Sequence, residues 1–168
     1  MLLDLIDFSK LRRAIIYSLL LVLLFVVQDL LLSHIRLFGV RPMLIPAAIA
    51  AIALFDGGMW GGFMGLAAGY FMDMGYAEHT ILFTVLLPAI GFFIGVLGKY
   101  ELHRGLLTYI VLLIAAMTVI TFCQMFRFLF FVDTASWPVW RTGIVQLLWS
   151  IPWAIPIYFP CKSIAGHT

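Results

Sequence analysis

Gly57-Gly58-Met59-Trp60-Gly61-Gly62-Phe63-Met64-Gly65-Leu66-Ala67-Ala68-Gly69-Tyr70-Phe71-Met72-Asp73 is the stretch that decides how this chain folds. Gly57, Gly61, Gly65 and Gly69 recur at every fourth position, and the next step of that spacing is Asp73. Residues four apart share one face of an α-helix, so the spacing predicts a stripe without side chains that ends in a carboxylate. In water each such glycine weakens a helix by about 1 kcal/mol relative to alanine. In lipid the same stripe lets another helix approach closely, and close packing is a main source of helix affinity there.

The rest of the chain makes lipid the expected solvent. Of its 168 residues, 64% are hydrophobic and 11% charged, and the mean hydropathy is +1.12. Soluble domains have about 45–50% apolar and about 25% charged residues. The length leaves room for one membrane domain, residues 1–168, and no separate soluble one. A net charge of +2 without a basic run gives no nucleic-acid footprint. Cys123 and Cys161 form no CxxC pair, which excludes a disulfide framework and a thiolate metal site. His34, His79, His103 and His167 have no partner at metal-ligand spacing, so no metal and no cofactor are expected. The phosphate-loop pattern is missing, since Gly98-Lys99 is followed by Tyr100.

Six apolar segments are expected as transmembrane helices, at about residues 14–33, 42–55, 57–75, 80–98, 105–132 and 142–160. The first is about 20 residues long, enough to cross the hydrocarbon core and longer than a signal-peptide core. The second is short and opens on Pro42, a residue suited to a helix's first turn. Gly91 and Gly95 in the fourth segment offer a second small-residue contact, and Pro152 and Pro156 predict a bent sixth helix. The fold class is thus an all-α integral membrane protein. The positive charges orient it with Lys10, Arg12, Arg13, Lys99, Arg104 and Lys162 on the cytoplasmic side, N-terminus included.

Several polar groups then share the far half of the bundle: Gln28, Asp29, Arg36, Arg41, Asp73, Gln124 and Arg127. A charge at mid-bilayer costs about 2.5–3.5 kcal/mol on insertion scales, so these groups should face inward and pair. Asp73 lies near the C-terminus of its helix, where the dipole disfavours an anion. An Asp73–arginine pair is therefore expected, with Arg41 the first choice and Arg127 and Asp29 in the same polar set. Asp56 precedes Gly57 and reads as a turn residue that caps the third helix.

No catalytic constellation emerges. Asp56 and Asp73 would sit roughly 25 Å apart along one helix, too far for an aspartate dyad. The pattern Asp56-Gly57 with Gly69-x-x-x-Asp73 is similar to half of the CDP-alcohol phosphotransferase signature, but Ala53 and Ala77 occupy the places of two required aspartates. Two carboxylates do not make a dinuclear metal site. A non-enzymatic role is expected.

Arg41-Pro42 opening a short apolar segment, then Gly62, Gly65, Gly69 and Asp73, a glycine-bearing fourth segment and a last helix rich in tryptophan and proline, together resemble MreD, the rod shape-determining membrane protein family. The resemblance implies a scaffold of the bacterial elongasome in the cytoplasmic membrane. It would bind MreC and, through it, serve MreB, RodA and a class B penicillin-binding protein in lateral peptidoglycan synthesis. Gly57, Gly61, Gly62, Gly65 and Gly69 would then supply packing for an internal helix or for the transmembrane helix of MreC, internal packing being the expected use. The family is also similar in fold to the compact bundles of energy-coupling-factor S components. That makes a substrate-binding transporter subunit the alternative function. Such subunits dock through an Ala-x-x-x-Ala face on their first helix; here the nearest pair is Ala47 and Ala51 on the second segment.

Overall fold

The computed structural model of the chain describes residues 8–31, 42–75, 81–100, 105–131 and 136–166. They form an all-helical bundle of six α-helices: α1 (Phe8–Val26), α2 (Ile45–Asp56), α3 (Gly58–Gly75), α4 (Leu82–Tyr100), α5 (Leu106–Phe131) and α6 (Ser136–Gly166). A π-helical turn, Val27–Leu31, extends α1.

Four stretches among the described residues are long and apolar enough to cross a membrane: Leu11–Leu30, Leu82–Lys99, Leu106–Phe126 and Trp140–Ala165. The sequence-based expectation was six. The difference lies in α2 and α3. With 12 residues α2 is about 18 Å long, short of a bilayer core of about 30 Å. Helix α3 has the length, at 18 residues, but its glycines together with Trp60, Tyr70 and Asp73 dilute its apolar character.

Helix α2 is the centre of the molecule. It touches α1, α3, α4, α5 and α6, and every residue from Ile45 to Phe55 is buried. Its composition explains how one helix can have so many neighbours. Ala47, Ala48, Ala50, Ala51 and Ala53 put small side chains on all sides, so surrounding helices can approach its backbone. Pro46 falls in the first turn, where it disrupts no helical hydrogen bond.

The α2 N-terminus is buried yet supplied with acceptors from two other helices. The Leu44 N–H donates to Gln28 Oε1 at 2.8 Å, and the Met43 N–H donates to Ser150 Oγ at 3.0 Å. The Ser150 hydroxyl in turn donates to the Gln146 carbonyl at 2.7 Å. Farther along, the fully buried Tyr109 hydroxyl lies between the Ala47 carbonyl at 3.0 Å and the Ala154 carbonyl at 3.3 Å, tying α5 to α2 and α6. In an apolar medium these acceptors matter, because an unsatisfied backbone amide costs several kcal/mol there.

Candidate functional site

Helix α4 occupies the glycine face. A Cβ on Gly65 would lie 2.7 Å from the Leu87 carbonyl oxygen, and one on Gly58 would lie 2.8 Å from that of Phe92. A Cβ on Gly69 would collide with the Phe83 carbonyl, and one on Gly61 with Ala53. The relation is reciprocal, since a Cβ on Gly91 would strike the Gly61 carbonyl and one on Gly95 the Gly58 nitrogen. The α3–α4 hairpin thus packs backbone against backbone through Gly58, Gly61, Gly65 and Gly69. Gly62 lies off this line, with its nearest neighbour, the Pro88 carbonyl, at 3.7 Å. Gly57 has a different role from the one its spacing suggests. A Cβ there meets nothing within 4 Å, but its φ of +94° lies in the region that favours glycine. It makes the one-residue turn from α2 to α3.

Asp73 stands at the far end of the seam, 7% exposed, and its partner is the N-terminus of α4. Its carboxylate accepts from the Phe83 N–H at 3.2 Å, the Thr84 N–H at 2.7 Å and the Thr84 hydroxyl at 2.6 Å. Two amides that no helical carbonyl can reach are thereby satisfied, and the positive end of one helix dipole offsets the negative end of another. The expected cation, Arg41, and the side chain of Arg127 lie outside the described residues. Replacing Asp73 with alanine is expected to destabilise the fold by about 2 kcal/mol, the upper range for a lost cap, with Thr84→Val near 1 kcal/mol. Reversible unfolding in bicelles measures both; an Asp73→Ala chain as stable as the wild type would remove the cap from the account.

Among the described residues an ion pair lies at the opposite end of the bundle, on Asp56. This residue ends α2 and does not cap α3. Its carboxylate accepts from Arg13 Nη1 at 2.9 Å and from the Tyr17 hydroxyl. The Asp56 side chain is 4% exposed and that of Arg13 27%. Arg13 and Tyr17 are four apart on α1, so both reach the same carboxylate. A sequence signal existed: an acid beside an apolar segment, at the same predicted end as an arginine at the head of another.

Asp29 behaves unlike the buried, paired group expected of it. It sits in the π-helical turn, exposed, and among the described residues no cation pairs with it. π-Turns inside longer helices are frequent at functional sites. This one turns Gln28 toward the α2 N-terminus and leaves Asp29 on the wall of a cavity of about 260 Å³, shared with Gln28, Met43, Met72 and Gln146. Phe25 lines this cavity and also a second, half-open groove of about 320 Å³ between α1 and α3. That groove is almost purely apolar, with Leu21 and Val22 on one side and Met64, Ala67 and Phe71 on the other.

Among the described residues no group of three His, Cys, Asp or Glu side chains is placed to hold a metal ion. Cys123 and Cys161 are free thiols. Trp149 and Trp153 stack edge to face, with centroids 6.5 Å apart. The fold and its four apolar helices define an all-helical protein of membrane type. Compared with known protein families, curated proteins and solved structures, the chain finds no match.

Proposed function

We propose that this chain is a non-enzymatic membrane scaffold that seats the transmembrane helix of a single-span partner. By the MreD resemblance, that partner is MreC, in a bacterial cytoplasmic membrane, with MreB, RodA and a class B penicillin-binding protein reached through it. The observation that carries the reading is the isolation of α1. Only 11% of its spanning window is buried, against 28–33% in the other three. Ile16, Leu19, Leu23 and Leu30 lie exposed along it at spacings of three, four and seven. That is the apolar seam of a left-handed helix pair. The glycine face is filled by α4, so a partner helix needs another seat, and α1 supplies one. Ala47 and Ala51, the pair nearest to an S-component docking motif, are both fully buried and present no face to a partner.

Cysteine scanning of α1 tests this. Single cysteines at 16, 19, 23 and 30 are expected to crosslink to the helix of a co-expressed MreC-like protein, while Ser18→Cys and Leu21→Cys, which face the groove, are not. Crosslinks without this period, or none to such a partner, would overturn the proposal. The gene order supplies a quick parallel check, a neighbouring single-span MreC-like gene being the expected finding.

A further inference from the structure

We infer that the proline face of α6 is a docking surface for a transmembrane helix of another protein, one that presents hydroxyl or amide side chains to it. Pro152, Pro156 and Pro160 stand four apart inside the helix. A proline has no N–H, so the carbonyl four residues before it loses its helical donor. The carbonyls concerned are those of Leu148, Pro152 and Pro156. They fall on one line, because four residues are close to one turn.

That line faces outward. Leu148, Pro152 and Pro156 are all exposed, while the opposite side of α6, with Ala154, Ile157 and Cys161, belongs to the core. None of the side-chain hydrogen bonds among the described residues ends on these three carbonyls. Their depth makes this costly. Leu148 and Pro156 lie eight and nine residues from the ends of the apolar stretch Trp140–Ala165, roughly 12 Å or more along the helix. Water does not reach the hydrocarbon core, where each backbone polar group needs a partner from protein.

The occupant follows from that chemistry. An acyl chain offers no donor. A second copy of this chain does not fit either. Its exposed Ser, Thr and Tyr side chains among the described residues are Ser18, Tyr70, Thr118, Thr142 and Ser163, and no two of them stand three or four apart. A foreign helix with Ser, Thr, Asn or Gln at every third or fourth position does fit, since its donors repeat every 5–6 Å or so, about the spacing of the three carbonyls. The short proline rings let such a helix come close. This seat lies on a different helix from the α1 seam and does not depend on it.

Synthetic single-span helices reconstituted with the purified chain in bicelles test the surface. One is a leucine helix with serine at three positions four apart, and its control has alanine there, so the two differ by one oxygen atom at each position. By fluorescence energy transfer the serine helix is expected to bind about twentyfold more tightly, the combined effect of three interhelical hydrogen bonds of ordinary membrane strength. Combining Pro152→Ala, Pro156→Ala and Pro160→Ala restores the helical donors and should make the two helices bind equally. Pro156→Ala alone should leave a preference of about sevenfold. A cysteine on the serine helix should crosslink to Leu148→Cys and not to Leu19→Cys on α1. Equal binding of the two helices to the wild type overturns the inference without any variant, and so does a preference that survives all three substitutions. Crosslinking at 19 in place of 148 moves the seat to α1 and overturns it too. Leu148→Cys chains that crosslink to one another ahead of the added helix would make a second copy the occupant, and the inference fails.

Discussion

Gly69→Ala and Gly95→Ala are each expected to lower stability by about 2 kcal/mol, although alanine is the better helix former. One methyl group at either position lands on the backbone of the facing helix: the Phe83 carbonyl for Gly69, and the Gly58 nitrogen for Gly95. Backbone cannot change rotamer, so α3 and α4 must separate along the whole seam. Overpacking of this kind costs about 1–3 kcal/mol, and the propensity gain of at most about 1 kcal/mol offsets only part of it. Larger residues, as in Gly65→Leu, should abolish folded protein. Gly62→Ala is the internal control. Its Cβ would be 3.7 Å from the nearest atom, so it should be neutral or stabilising by up to about 1 kcal/mol. Unfolding free energies in bicelles decide the matter. Equal effects at 62 and 69 would show that the seam is not held by close approach.

Asp56→Ala is expected to be the most damaging single change at the Arg13 end, because it orphans two groups at once. Arg13 keeps its charge next to an apolar helix, and the fully buried Tyr17 loses the acceptor of its hydroxyl. Breaking a buried pair from one side costs about 3–5 kcal/mol, and the partial exposure of Arg13 places this case at the lower end. Replacing both charged partners by apolar residues, Arg13→Leu with Asp56→Leu, should recover the part of the loss that comes from the orphaned Arg13 charge, while the buried Tyr17 hydroxyl stays without its acceptor. Tyr17→Phe alone should cost about 1 kcal/mol. Thermal unfolding of the four chains gives the comparison. A double variant as unstable as Asp56→Ala would mean that packing, and not the orphaned charge, sets the cost. Because α1 is the least embedded span, this pair and the Gln28 contact are its polar anchors, one near each end.

The glycine seam was legible in the sequence because its cause is local. Four-residue spacing and the absence of side chains need no partner to be recognised. That Gly57 belongs to the turn and Gly58 to the seam was not legible, since the two differ only in where the helix begins. The polar residues were harder. Asp73 reads from the sequence as an anion in need of compensation at a helix C-terminus, and a charged side chain is only one source of positive potential. The first turn of α4, eleven residues on, supplies it through amide groups that every sequence contains and none displays.

Composition and periodicity by themselves determined that this protein is helical, that its solvent is lipid, and that one helix pair packs through glycine. These follow from the solvation of side chains and from the 3.6-residue repeat, properties of each segment taken alone. Only the tertiary structure decided that α2 is a buried core and not a lipid-facing span, that Asp56 belongs to Arg13 and Tyr17, and that Asp29 lines a cavity. Each depends on which helices become neighbours. In a bilayer that choice rests on close packing and on hydrogen bonds between segments distant in sequence, which no single segment encodes.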